Sequence, residues 1–182
     1  EAVLEEATER DADIVIARGA REPRGVSSVL NSGVILLRRS QAATSLLPGT
    51  LASKNVAMVL LPDAKAEDAD AITTQLKSAG ATVTGRVSLT STWVDLSREN
   101  YRSTFSGQVQ GHLGSANVKD ANGILGEALA KALTANDDSS RVLMDMLSVT
   151  VDKSGTPFIS VDSTPTAPAE MIVVVGPRPQ AA

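Results

Sequence analysis

The chain has 182 residues, of which 42% are apolar and only four are aromatic. It contains no cysteine, which excludes disulfides, thiol catalysis and thiolate metal sites. The formal net charge of −4, with lysine and arginine scattered along the chain, argues against nucleic-acid binding, which needs a clustered basic surface. A core built from Ala, Val, Leu and Ile suits helices packed on a mostly parallel sheet.

The first quarter of the chain predicts short elements separated by polar loops. Apolar spacing predicts a helix over 1–11, strands over 14–17 and 34–37, and a second helix over 40–47. Residues 18–25 combine glycine, proline and charge, which predicts a surface loop.

The stretch from 56 to 85 has the pattern of a βαβ unit. An apolar run over 56–61 is stopped by Pro62-Asp63, and acidic residues then introduce a helix. Ala79-Gly80 ends that helix, and a second β-like run begins at Thr82. This order of signals predicts two parallel strands joined by a helix.

The second half of the chain predicts further helices and strands. They are helices over 93–110 and 120–134, a loop over 106–117, a run over 142–147 that fits either a helix end or a strand, and strands over 158–161 and 171–175. The whole pattern predicts one α/β domain over 1–176, a Rossmann-like three-layer sandwich with a mostly parallel sheet flanked by helices. Residues 177–182 predict a disordered tail, since they carry no packing signal.

A nucleotide cofactor site would need glycines where the strand over 56–61 leads into its helix. That position, residues 62–68, carries three acids and no glycine, and the acids would repel a phosphate. Gly107, Gly111 and Gly114 form the other glycine-rich run, but no clear strand precedes them. We therefore expect no cofactor.

Catalysis by an acid–base or nucleophilic site has one candidate residue, His112, which is the only histidine. It lies in the glycine- and serine-rich run, and no acid or serine has the spacing of a known triad motif. A solvated loop histidine explains this position better than a catalytic one. We therefore expect that the protein is not an enzyme.

Met144 and Met146 are the candidate metal ligands, because thioether sulfur suits Cu(I). In a strand both sulfurs would share one face, whereas in a helix they would not. Two core methionines explain the pair better than a metal site does, since methionine commonly fills irregular cores. We therefore expect no metal site here.

Trp93, Tyr101 and Phe105 are the candidate interface residues, because they lie close together in a chain that is almost free of aromatics. The spacing of Tyr101 and Phe105 puts both rings on one helical face. Such clusters either fix a helix to the core or anchor a contact with a partner protein.

Several segments resemble the actinobacterial copper-transport protein family, which comprises MctB-like and SteB-like cell-envelope proteins. The resemblance is most specific over 62–94, with "AGATVTG" at 79–85 and "VSLT" at 87–90. Two looser similarities lie at 123–133 and 170–177, and residues 1–41 match nothing in the family.

The resemblance implies an extracytoplasmic domain on the periplasmic side of the envelope. It also implies membrane anchoring through a helix that is absent from this chain. Our first hypothesis is a non-enzymatic module of cell separation and peptidoglycan hydrolase regulation, acting through association with an envelope protein or with its own copies. The alternatives are a component of copper transport or efflux and a small-molecule-binding α/β domain.

Overall fold

The computed structural model describes residues 14–18, 35–37, 49–114, 118–151 and 153–178. These residues contain one six-stranded sheet with the order β2-β1-β6-β3-β4-β5. The strands are β1 (Ile14–Arg18), β2 (Ile35–Leu37), β3 (Asn55–Leu60), β4 (Thr82–Leu89), β5 (Ile159–Ser163) and β6 (Met171–Val175). The predicted strands therefore form, and Arg18 ends β1 where the loop was predicted to begin. The predictions of helices over 1–11 and 40–47 and of the rest of the loop, residues 19–25, lie outside the described residues.

The sheet is mixed, so the prediction of a mostly parallel, Rossmann-like sheet is only partly correct. Strand β3 is parallel to both of its neighbours, β4 and β6, whereas β1·β2, β1·β6 and β4·β5 are antiparallel. The helices that connect β4 to β5 bring the chain back to the C-terminal end of β4. Strand β5 therefore runs antiparallel to β4. There the backbone N–H of Thr90 donates to the carbonyl of Phe158, 3.1 Å away.

Strand β3, helix α1 (Ala66–Ser78) and strand β4 form the predicted βαβ unit. Glu67 lies in the first turn of α1 and Lys77 in its last turn, which suits the helix dipole at both ends. Gly80 follows the helix at φ +89°, and a Cβ there would come within 3.1 Å of the Ala52 backbone. The positive φ therefore favours glycine at this helix end, and the close approach of Ala52 leaves little room for a side chain.

Helices cover both faces of the sheet. Helix α1 packs on one face, against residues of β3 and β6 that alternate with those facing the other way. Helices α2 (Glu99–Gln110), α3 (Ala121–Thr134) and α4 (Asp138–Val149) cover the opposite face. Leu125 and Leu129 of α3 are buried in this second cluster.

Two helices differ from the prediction. Helix α2 continues to Gln110, so the predicted loop over 106–117 begins later, and Gly107 lies inside the helix. The run over 142–147, left open between helix and strand, is the middle of α4. Its start is fixed by a capping box, in which the Asp137 carboxylate accepts from the Ser140 backbone N–H and the Ser140 hydroxyl accepts from the Asp137 backbone N–H.

Candidate interface at the carboxyl edge of the sheet

All four aromatic side chains of the chain meet in one cluster, which we call the aromatic cluster. Phe158 is at its centre, with ring centroids 4.6 Å from Phe105, 5.2 Å from Tyr101 and 6.0 Å from Trp93. The Tyr101 and Phe105 rings are stacked with 6.1 Å between their centroids, one helical turn apart on α2. The structure thus brings together Trp93, Tyr101 and Phe105.

Burial divides the cluster into a core side and a surface side. Phe105 and Phe158 are fully buried, whereas Trp93 and Tyr101 are partly buried and pack against the same core. Phe105 therefore belongs to the core. Of the predicted interface residues, only Trp93 and Tyr101 reach the surface. Sequence reasoning missed Phe158, although its place at the start of a predicted strand beside Pro157 signalled an ordered position.

The residues that follow β4 form a tightly bonded segment, which we call the 90–98 loop. It contains two 3-10 turns, Ser91–Trp93 and Leu96–Arg98, each capped by a side chain. The Thr90 hydroxyl accepts from the Thr92 backbone N–H, and the Asp95 carboxylate accepts from the Ser97 backbone N–H at 2.8 Å. The loop backbone is therefore fixed by its own side chains.

The 90–98 loop is also tied to the segment that joins α4 to β5. The Thr90 hydroxyl donates to the Pro157 carbonyl at 2.6 Å, and the Trp93 indole N–H donates to the Phe158 carbonyl at 2.8 Å. At the outer end, the Arg98 guanidinium donates to the Ser154 hydroxyl at 3.0 Å. These contacts bring two loops, distant in sequence, to one end of the domain.

Four aliphatic side chains on these two loops face solvent, and we call them the apolar rim. Leu96 is 84% exposed, Val149 72%, Val94 62% and Val151 49%. Val94 and Leu96 belong to the 90–98 loop, whereas Val149 ends α4 and Val151 begins the segment leading to β5. Sequence reasoning missed all four, because a single aliphatic residue among polar neighbours, such as Leu96 between Asp95 and Ser97, carries no sequence signal of an exposed apolar surface.

Ionisable groups at this end show the effects of hydrogen bonding and burial. The Ser97 hydroxyl and backbone N–H hold the pKa of the exposed Asp95 carboxyl below its usual value. Burial raises the pKa of Tyr101, whose hydroxyl has no hydrogen-bond partner among the described residues. Burial therefore disfavours the charged phenolate form of Tyr101.

The carboxyl ends of β3 and β6 are closed by an ion pair. Arg178, assigned to the tail on sequence grounds, donates from Nε to Asp68 Oδ2 at 2.8 Å and from Nη2 to Asp68 Oδ1. Asp68 lies in the first turn of α1 and is only 3% exposed. Open α/β sheets commonly bind ligands at this position, just beyond the carboxyl ends of adjacent parallel strands.

Met144 and Met146 both lie on α4, two residues apart on a helix, so their side chains leave it in nearly opposite directions. Each packs partly buried against the core beneath α4. Within the described ranges, the acidic and histidine side chains form no group of three or more that could hold a metal ion. His112 lies just beyond α2, where its backbone carbonyl accepts from the Lys131 ammonium at 2.8 Å.

In the part of the chain that the structure describes, no helix is both long enough and apolar enough to span a bilayer. A search among curated proteins gave no match to this chain. The family model described as copper transport outer membrane protein, MctB, matches residues 39–182. That match includes the βαβ unit, the aromatic cluster, the 90–98 loop and the ion pair of Asp68 and Arg178. The chain therefore belongs to the MctB family of copper transport outer membrane proteins.

Proposed function

We propose that this domain serves copper transport at the cell envelope as a protein-association module, with the apolar rim as its contact surface. The observation that carries the proposal is the exposure of four aliphatic side chains on two loops and the adjoining end of α4, with hydrogen bonds holding the loops in place. In this proposal the domain is not an enzyme. It lies on the extracytoplasmic side of the envelope, and its partner is another envelope protein.

Exposed aliphatic side chains that stand together are informative, whereas single ones are ordinary. Leu96 and Val94 stand two residues apart on one loop, and Arg98 joins that loop to the segment carrying Val151. Removing a leucine or valine side chain from water stabilises a complex by about 1.5–3 kcal/mol when burial is complete. The rim thus offers affinity to a protein that covers it.

Rigidity supports the same proposal. A flexible loop loses conformational entropy when a partner binds, and that loss is subtracted from the affinity. The 90–98 loop is already held by side-chain caps and by Trp93, whose indole N–H donates to the Phe158 carbonyl. Its apolar side chains are therefore presented with little further ordering required.

Copper is the cargo of the family, and the geometry of α4 favours an indirect role for this domain in handling it. Met144 and Met146 diverge from the helix and pack on the core, so they do not present two sulfurs to one ion. We therefore assign the domain to assembly of the transport or cell-separation apparatus, with any direct contact to copper made elsewhere in that apparatus.

The test is site-specific photocross-linking in the cells that make the protein. A photoreactive residue at Leu96 is expected to cross-link to one defined envelope protein, and the same probe at exposed Thr74 on α1 is the control. Val149→Glu should abolish the Leu96 cross-link, because it puts a charge into the same apolar contact. Equal cross-linking from both positions, or a cross-link that survives Val149→Glu, would contradict the proposal.

A further inference from the structure

Arg102 is a buried cation at the base of the 90–98 loop. It lies in the first turns of α2 and is only 5% exposed. Its Nη1 atom donates to two backbone carbonyls, that of Thr92 at 3.0 Å and that of Asp95 at 2.7 Å. These two carbonyls stand on either side of Trp93 and Val94.

Burying a guanidinium costs free energy unless its hydrogen bonds are well satisfied. An apolar side chain at this position would support α2 without that cost. The arginine fixes the positions of two backbone carbonyls, because one nitrogen joins the first 3-10 turn of the loop to the residue that caps the second. A hydrogen bond from a charged donor is also stronger than one between neutral groups.

The consequence lies on the outer side of the loop. Thr92, whose carbonyl Arg102 binds, is buried, whereas Val94 and Leu96 are strongly exposed. The neighbouring charges are Asp95, whose side chain accepts from Ser97, and Arg98, which contacts Ser154. Arg102 therefore pulls the backbone of the loop inward at two points, and the aliphatic side chains between and after them remain outside.

We propose that Arg102 is the positioning residue of the interface, holding the 90–98 loop in the conformation that presents Val94 and Leu96 to the partner. This inference rests on the proposed function for its biological purpose. The clamping of the loop is a property of the isolated domain and is measured without any partner. The two ideas can therefore fail separately.

The experiment compares Arg102→Met, which keeps an apolar stem but no donor, with Arg102→Lys, which keeps a cation. Arg141→Met is the matched control, since Arg141 is an exposed arginine on α4 that pairs with Asp138. Amide hydrogen exchange is followed at residues 93–98 and, as a reference for global unfolding, in β4. The Trp93 emission spectrum reports the same loop, because Trp93 is the only tryptophan.

We expect Arg102→Met to accelerate exchange at 93–98 by about tenfold relative to β4, which corresponds to ~1.4 kcal/mol of local opening. Arg102→Lys should recover part of the protection, and Arg141→Met should change nothing in the loop. Exchange in β4 that rises by the same factor as in the loop would make Arg102 a general stabiliser and overturn the proposal. Unchanged amide exchange at residues 93–98 would also overturn the proposal.

The cross-link from position 96 provides the second readout. Arg102→Met should reduce its yield severalfold while Arg102→Lys retains more of it, at temperatures where both variants remain folded. A loosened loop that cross-links as well as the wild type would overturn the positioning role. A wild-type chain without any specific cross-link, but with the loop loosened in Arg102→Met, would instead overturn the proposed function alone.

Discussion

Replacing Phe158 by leucine tests whether the aromatic cluster is held by ring-to-ring contacts or merely by apolar burial. Phe158 is fully buried and has Trp93, Tyr101 and Phe105 as ring partners. Leucine keeps most of the apolar volume, so the main loss is the ring contacts, each worth about 0.5–1.5 kcal/mol beyond burial. With shape mismatch included, we expect the free energy of unfolding to fall by about 2–4 kcal/mol.

Phe105→Leu is the comparison variant, because Phe105 is equally buried but lies beside Tyr101 and Phe158 without a ring contact to Trp93. It should therefore cost less than Phe158→Leu by about one ring pair, ~1 kcal/mol. Both values come from equilibrium urea unfolding, followed by far-ultraviolet circular dichroism and by the single tryptophan. Equal costs, or a larger cost for Phe105→Leu, would refute ring contacts as the source of stability.

A double-mutant cycle isolates one of these contacts. Trp93→Leu removes both the ring and the indole N–H that donates to the Phe158 carbonyl. That hydrogen bond uses the backbone of residue 158 and survives Phe158→Leu, so its loss cancels in the cycle. The coupling energy should be about 0.5–1.5 kcal/mol, and a value near zero would show that the T-shaped contact contributes nothing.

Three further outcomes follow from other parts of the molecule. Leu129→Ala should lower the free energy of unfolding by about 2–5 kcal/mol in urea titration, because Leu129 is buried between α3 and the sheet; a loss below ~1 kcal/mol would contradict that packing. The backbone N–H of Ser140 holds the pKa of Asp137 below its usual value, so the capping carboxylate stabilises the fold at neutral pH and this contribution is lost as the pH falls through that lowered pKa. Thermal unfolding across acid pH should therefore decline more for the wild type than for Asp137→Asn, and parallel declines would contradict the linkage. The purified domain should bind Cu(I) no more tightly than about micromolar in a competition titration; tighter stoichiometric binding that Met144→Leu/Met146→Leu removes would favour direct copper handling.

The elements that sequence predicted best are those whose signals are local. Within the βαβ unit, the helix is flanked by Pro62-Asp63 and Gly80, residues that act on the backbone at their own positions. The apolar run over 142–147, in the middle of helix α4, fits the periods of both a helix and a strand, so its sequence does not decide between them. Asp137 before this run is a helix-start signal, which favours the helix.

Strand direction was less predictable, because it depends on where a long connection ends. The helices between β4 and β5 return the chain to the Thr90 end of β4, and no residue within β5 encodes that return. The aromatic cluster was predicted in part for a similar reason. Trp93, Tyr101 and Phe105 are near one another in sequence, but Phe158 joins them only through tertiary packing.

The three parallel strands end at one edge of the sheet, and this edge carries both the ion pair and the proposed interface. Beyond β3 and β6, Arg178 closes the position where related architectures admit a ligand, with Asp68 as its buried partner. Beyond β4, the same edge is extended by the 90–98 loop, whose base Arg102 binds. An α/β sheet commonly places its function at this edge, but the residues there determine which function it is. Here internal contacts occupy the ligand position and aliphatic side chains face outward beside it, which favours a protein partner over a small molecule at this edge.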